Sequence, residues 1–141
     1  MEHYRKLERM YAKAPINAFY GPVLTVSEGR AEVEIEVQSK HHHSAGAMHG
    51  SVYFKMLDDA AWFAANSVVP DVFVLTTTFE VNLLRPVAKG RIRAVGVVTA
   101  QDERRIHATA ELFDDQGTVI GRGQGRFALS RIPLTPEVHY Q

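Results

Sequence analysis

The strongest constraint in this sequence is one long helical stripe in a chain that otherwise reads as strand. Over residues 51–68, Tyr53, Leu57, Ala60, Ala61, Ala64 and Val68 recur at three- and four-residue steps and form a single apolar face. Pro70 marks the exit from this helix. Such a face has to be laid against something. No second helix of comparable length is legible, so a sheet must cover it.

The strands are legible too. Residues 31–37 read Ala-Glu-Val-Glu-Ile-Glu-Val, a strict alternation that predicts one buried face and three glutamates on the other. A polar, His-rich loop over residues 39–48 follows. Beyond Pro70 four runs, 72–84, 91–100, 106–113 and 118–130, are rich in β-branched, aromatic or alternating residues. Their connections, at 86–90, 101–104 and 114–117, are short and have turn chemistry, which predicts an antiparallel meander. At the N-terminus, Tyr4, Leu7, Met10 and Tyr11 stand at helical spacing and predict a short amphipathic helix over residues 2–13, ending before Pro15. The order helix, strand, long helix, four strands predicts an α+β protein: one curved antiparallel sheet wrapped around one central helix. A single domain is expected over residues 1–141, with 1–18 as helix and lead-in and 131–141, which holds Pro133 and Pro136, as a loose tail. One such sheet leaves an edge and an open face, which dimerisation would cover.

Composition removes several functional classes. Sixteen Lys and Arg balance sixteen Asp and Glu, so nothing in the charge points to nucleic acid or to an anionic membrane. No apolar run approaches the roughly 20 residues that span a bilayer. The opening Met1-Glu2-His3-Tyr4-Arg5-Lys6 carries charge and not an apolar signal core, so secretion is not expected and a cytoplasmic location fits. The absence of cysteine removes disulfides, cysteine nucleophiles and thiolate metal sites. No nucleophile elbow, Walker loop or dinucleotide fingerprint occurs, and no cofactor is expected. His41, His42 and His43 are consecutive, so their side chains do not converge easily on one ion, and no metal site is expected. Gly121, Gly123 and Gly125 alternate within a strand and suit close packing.

Three features could carry chemistry. His49-Gly50-Ser51 opens the long helix, where the first amides lack internal partners and carry partial positive charge; a developing oxyanion would be stabilised there, though an ordinary glycine loop with Ser51 near the cap has the same sequence. Asp58 and Asp59 lie in mid-helix. With Leu57 at the centre of the buried stripe, Asp59 points away from the core on the face of Lys55 and Asn66, four residues after Lys55, and is expected to be a solvated surface charge. Asp58 falls at the stripe's edge beside Phe54, Trp62 and Ala65, where burial would raise its pKa towards that of a useful general base. Thr76-Thr77-Thr78 lies in a strand, with Thr76 and Thr78 on one face and Thr77 on the other; a hydroxyl there can hold a water or a carboxylate.

With Gly46-Ala47-Met48-His49-Gly50-Ser51 followed by Asp58 nine residues after His49, and a strand ending in Leu83-Leu84-Arg85-Pro86, the chain resembles the hot-dog thioesterases of the PaaI type, relatives of phenylacetyl-CoA and 4-hydroxybenzoyl-CoA thioesterases. The resemblance runs from about Phe19 to Ser130. It implies a hot-dog fold, a homodimer often paired into a homotetramer, and active sites between subunits. It implies an acyl-CoA substrate whose thioester carbonyl lies against the amides of Gly50 or Ser51. His49 would shape the site, Asp58 of the neighbouring subunit would act as nucleophile or general base, and Thr76 would orient the water or the acid.

Two positions depart from the family pattern. Ser51 stands where a second glycine is usual, and His43 where an asparagine is common. Phe54 and Trp62 are candidates for an aryl or medium-chain acyl pocket, as is Phe79. Arg85, Lys89, Arg91, Arg122, Arg126 and Arg131 are unranked basic candidates for the coenzyme A phosphates, and Arg85 is taken as a substrate-binding residue. A thioesterase is the first expectation. A non-catalytic acyl-CoA or fatty-acyl binding module is the alternative, followed by an acyl-thioester hydratase or dehydratase.

Overall fold

Gly96 is where helix and sheet meet. A methyl group added at its Cα would run into the backbone of Ala60 and Ala61, so only glycine lets the two elements approach this closely. The computed structural model describes residues 1–141. Helix α1 (Glu2–Lys13) and the single turn α2 (Asn17–Tyr20) lead into strands β1 (Val23–Ser27) and β2 (Arg30–Val37). The long helix α3 (Gly50–Ser67) follows, then β3 (Val72–Leu83), β4 (Gly90–Gln101), β5 (Arg105–Phe113) and β6 (Val119–Pro133). The strands form one antiparallel sheet in the order β1-β2-β4-β5-β6-β3, curved around α3 in the expected hot-dog arrangement.

The alternation read in β2 holds. Ala31, Val33, Ile35 and Val37 are buried beneath the helix, while Glu32 and Glu34 face outward and pair with Arg93 and Arg91 of β4 at 2.8 and 3.4 Å. From Ala60 to Ser67 every residue of α3 is buried. The four alanines 60, 61, 64 and 65 keep the helix thin enough to be enclosed. The glycines of β6 serve the same purpose: a Cβ on Gly123 or Gly125 would stand 2.6 or 2.5 Å from the Phe79 ring, which therefore lies flat over bare backbone.

Four readings need correction. A sixth strand, β1, precedes β2; its buried Leu24 and Val26 alternate with exposed neighbours, but the run is only five residues long and hides between Pro22 and Glu28. The meander holds for β4-β5-β6 only. β3 pairs with β6 at the far edge, so the segment at 86–90 is not a hairpin but a crossover along one end of the sheet. Leu84 and Arg85 donate to the Ile120 carbonyl, and the Val87 carbonyl accepts from Met48, which fixes this crossover beside the start of α3. Thr76 and Thr78 do not share a face. A bulge at Thr77 sets Thr76 opposite buried Phe127 and Thr78 opposite Arg126 on the outer face. The tail, finally, is tied down: Leu134 donates to the Asp71 carbonyl, Tyr140 Oη contacts His3 Nδ1 at 2.7 Å, and Arg9 Nε donates to the Gln141 carbonyl at 2.6 Å. No helix is long and apolar enough to cross a membrane.

Gly96→Ala is expected to destabilise the protein by about 3 kcal/mol, because the added methyl meets backbone that cannot turn aside. Urea unfolding followed by circular dichroism measures this; a loss of less than about 0.5 kcal/mol would mean that the helix is not seated on Gly96.

Candidate active site

His49 is the N-cap of α3, with extended backbone (φ −64°, ψ 145°). Its Nδ1 accepts from the Ser51 amide at 3.0 Å and lies 2.8 Å from Ser51 Oγ. Accepting from the amide fixes the tautomer: Nδ1 is bare, the Ser51 hydroxyl donates to it, and the proton sits on Nε2. Ser51, the departure from glycine, thus locks the histidine ring with both of its donors. Its amide is spent on that cap. The Gly50 amide has no partner within the chain and is the one free backbone donor at the helix start. Gly50 is half-buried, and a Cβ there would stand 3.3 Å from Leu83.

The three consecutive histidines point in different directions. His41 is buried, stacks on Tyr20, and accepts from the Gln38 amide through Nδ1 at 3.0 Å; its carbonyl receives the His49 amide. His42 Nε2 reaches the Ala88 carbonyl at 2.7 Å. His43, exposed, caps a tight turn by accepting from the Ala45 amide. It borders a shallow groove of about 300 Å³ at the helix start, lined also by Gly50, Tyr53, Leu83 and Arg85. Arg85 has no carboxylate partner, unlike Arg91 and Arg122, which pair with Glu34 and Glu111.

The paired aspartates divide as expected in one respect and not in another. Lys55 does hold Asp59, at 2.6 Å. The face is not solvated, however. Helix α1 packs over it, and Tyr11 Oη donates to the same Asp59 oxygen at 2.5 Å. Lys55 Nζ also stands over the rings of Tyr11 and Tyr20, and burial followed by the Asp59 charge pushes the Tyr11 phenol far above its usual range. Asn66, placed by the helical wheel on this outward face, is fully buried; it bonds to the Val69 and Val72 carbonyls and to the Val74 amide. A helical wheel drawn from the sheet side cannot show a second layer laid on the opposite side.

Asp58 has no cation of its own. Thr76 Oγ1 donates to its Oδ1 at 3.0 Å. Burial first, and then the Asp59 charge, raise its pKa to about 6, against the smaller opposing effects of Thr76 and Lys55. The acid shares a pocket of about 430 Å³ with Thr76 and Trp62. Trp62 is buried with Nε1 on the Val74 carbonyl, and Phe54, 44% exposed, stands edge-on to Phe79 at 5.4 Å. The structure therefore makes two groups, His43, His49, Gly50 and Arg85 at the helix start and Asp58, Thr76 and Trp62 midway. Eight residues of helix separate Gly50 from Asp58, about 12 Å along the axis and roughly 80° around it. One carbonyl cannot touch both within one chain.

A native Asp58 that keeps its proton to about pH 6 binds it more tightly than the unfolded chain does. The stabilising contribution is full below about pH 4 and is lost as pH rises through 6. Asp58→Asn should thus stabilise the fold near pH 8 by on the order of 2 kcal/mol after allowance for partial exposure, a gain absent near pH 3.5. Melting curves at the two pH values test this, and equal melting temperatures for variant and parent at both would refute the buried-acid assignment.

Comparison with known proteins follows the same lines. The family model of the thioesterase superfamily matches residues 45–120. A candidate esterase of Saccharolobus solfataricus is 26% identical over 109 residues, 77% of this chain and 78% of that one. The 1,4-dihydroxy-2-naphthoyl-CoA hydrolase of Listeria monocytogenes is 33% identical over 82 residues, 57% of this chain and 62% of that one. The E. coli PaaI protein from the phenylacetic acid degradation operon matches in fold, with a TM-score of 0.86 at 20% identity, over 95% of this chain and 97% of that one.

Proposed function

Because the chain belongs to the thioesterase superfamily, we propose that it hydrolyses acyl-CoA thioesters, with aryl or medium-chain acyl groups, at a site shared between two copies of itself. The observation that carries this reading is the separation of the free Gly50 donor from the Asp58 acid along one helix. A second, antiparallel α3 removes that separation. If Gly50 of one copy faces Asp58 of the other, the two-fold axis passes the helix midway, at residue 54. Phe54 is the exposed aromatic of α3, and its neighbour Phe79 lies on β3, the sheet's edge. β3 is twelve residues long, has a partner on one side only, and exposes Leu75 and Leu83, with exposed Leu84 just beyond its end. A long, unpaired edge strand with exposed leucines at both ends is what a second copy would cover.

In such a dimer the thioester oxygen accepts from the Gly50 amide, with the dipole of α3 behind it. The His49 Nε2–H is a second donor at the same helix start. Asp58 of the other copy, ionised above about pH 6, attacks the carbonyl carbon or removes a proton from the attacking water. Thr76, bonded to one carboxylate oxygen, leaves the other to react. On the base route water adds to the carbon, the carbon–sulfur bond breaks, the coenzyme A thiolate takes up the proton and the free acid leaves. On the nucleophile route departure of the thiolate leaves an acyl–Asp58 anhydride, which a water then cleaves to return the carboxylate and release the acid. Arg85, unpaired beside the Gly50 groove, is placed for a coenzyme A phosphate, with His43 nearby. The named activity of the Listeria relative, an aromatic acyl-CoA hydrolase, and the aromatic surroundings of Trp62 support an acyl group of that size.

Thiol release from acyl-CoAs tests the roles. Asp58→Asn should lower kcat by about 10²- to 10⁴-fold, while Asp59→Asn keeps most of the turnover, and wild-type kcat/KM should fall as pH drops through about 6. Gly50→Pro deletes the single amide donor yet suits the first position of a helix, and the extended His49 already meets the demand a following proline makes. It should fold and lose about 10²- to 10³-fold in kcat. Mixed dimers of Asp58→Asn and Gly50→Pro chains carry one intact site each. Random reassociation should restore about a quarter of wild-type activity. Restoration no greater than the sum of the two parents would exclude the shared site.

A further inference from the structure

The pocket behind Asp58 has a wall that the chemistry does not require. Its aromatic side is a continuous run of edge-on rings: Tyr11 on Phe63 at 4.9 Å, Phe63 on Trp62 at 4.6 Å, and Trp62 on Phe73 at 4.6 Å. Asp58 and Thr76 lie at its polar end. The rest of the lining comes from Met10 and residues 14–17 after α1, and from Val138 and His139 in the C-terminal segment, which crosses from the end of β6 to α1.

That crossing is held at both ends. Thr135 starts a single turn: its Oγ1 accepts from the Glu137 amide, and its carbonyl accepts from the amides of Val138 and Tyr140. His139 is the only non-glycine residue in the left-handed region (φ 68°), a conformation that persists only where its surroundings impose it. Just beyond, Tyr140 Oη meets His3 Nδ1, and the Lys6 ammonium stands over the Tyr140 ring. His3 Nε2 reaches the Asn66 carbonyl at 2.9 Å, so Nε2 carries the proton and Nδ1 accepts from the tyrosine. One imidazole thus links the tail to the C-terminal end of the catalytic helix. A segment held in a fixed turn over a pocket, and latched to the helix that carries the acid, is in a position to bound that pocket.

Resting on the acyl-CoA reading of the site, we infer that the C-terminal segment of residues 135–141 is the specificity wall of the acyl pocket, and that Val138 and His139 set the upper size of the acyl group accepted. Bulk added at Val138 shortens the pocket. Removal of the segment opens it to solvent and to longer chains.

The test compares wild type, a chain truncated after Thr135, and Val138→Phe on acetyl-, phenylacetyl-, octanoyl- and dodecanoyl-CoA. Truncation is expected to raise the dodecanoyl-to-acetyl ratio of kcat/KM tenfold or more. Val138→Phe is expected to lower the phenylacetyl-to-acetyl and octanoyl-to-acetyl ratios to a similar extent, with the change carried in KM. Should the truncated chain not fold, Val138→Phe decides alone. Ratios within twofold of wild type in every folded variant overturn the inference. Trp62, the only tryptophan, lies in the pocket and reports binding without turnover. If wild type cleaves none of the four, the thioesterase reading fails, and titration of Trp62 fluorescence with the same acyl-CoAs judges the wall separately. The same ordering of dissociation constants supports it, and constants unchanged between wild type and Val138→Phe overturn it.

Discussion

The contact on which the rest depends is the seating of one helix on a sheet that gives up its side chain at the point of closest approach, Gly96. Gly96 lets β4 touch the backbone of α3 at Ala60, and Gly123 and Gly125 let Phe79 lie flat against β6. Without that closeness the helix could not be enclosed, and a mid-helix carboxylate would simply be wet. Enclosure makes Asp58 a partly buried acid with a raised pKa, and the thinness of the alanine-rich helix lets α1 and the C-terminal segment come near it from the other side. Site chemistry here is a consequence of packing.

Two adjacent aspartates on one helix end in opposite electrostatic states. Asp59 receives Lys55 and the Tyr11 hydroxyl on one oxygen, an arrangement that satisfies a desolvated charge. Asp58 receives only a neutral threonine hydroxyl, and the neighbouring negative charge adds to the cost of ionising it. The satisfied carboxylate fastens α1 to α3. The unsatisfied one retains affinity for a proton in the range where a base or nucleophile works near neutral pH. Swapping the two sets of neighbours would exchange the roles.

Much of this was legible in the sequence. The alternation in β2, the stripe of α3, the Lys55–Asp59 pair and the glycine positions in β6 are local patterns, and each folds as its period and spacing predict. The features that escaped are long-range. β3 looks like the first strand of a meander because its connection is short, yet it pairs with β6, whose glycines alone accept Phe79. The bulge at Thr77 reverses strand parity, so period-two counting puts Thr78 on the wrong face. Asp59 is covered by α1, nearly fifty residues distant in sequence, and the Asn66 side chain is taken up by the chain leading into β3. Tyr11 belongs to an amphipathic stripe in the sequence; its hydroxyl role depends on where that stripe lands. For the site itself, His49, Gly50 and Asp58 stand out in sequence, while the engagement of the Ser51 amide by the His49 ring does not.

The Ser51 departure now has a physical meaning. With glycine at that position the ring of His49 would accept from an amide alone; with serine it accepts from an amide and a hydroxyl, and its tautomer is doubly fixed. That leaves Nε2–H as the exposed donor and the Gly50 amide as the free backbone donor, two neighbouring positions at the positive end of α3. An oxyanion placed there would meet donors that need not reorganise as charge develops, and this preorganisation is the main lever such a site has. The cap and the acid are therefore separate devices on one helix. In the proposed shared site the cap is complete within a single chain, and the acid about 12 Å further on would serve it only through a second copy. Dimerisation in this reading is the step that assembles the reaction centre, and the bare β3 edge is the surface that would drive it.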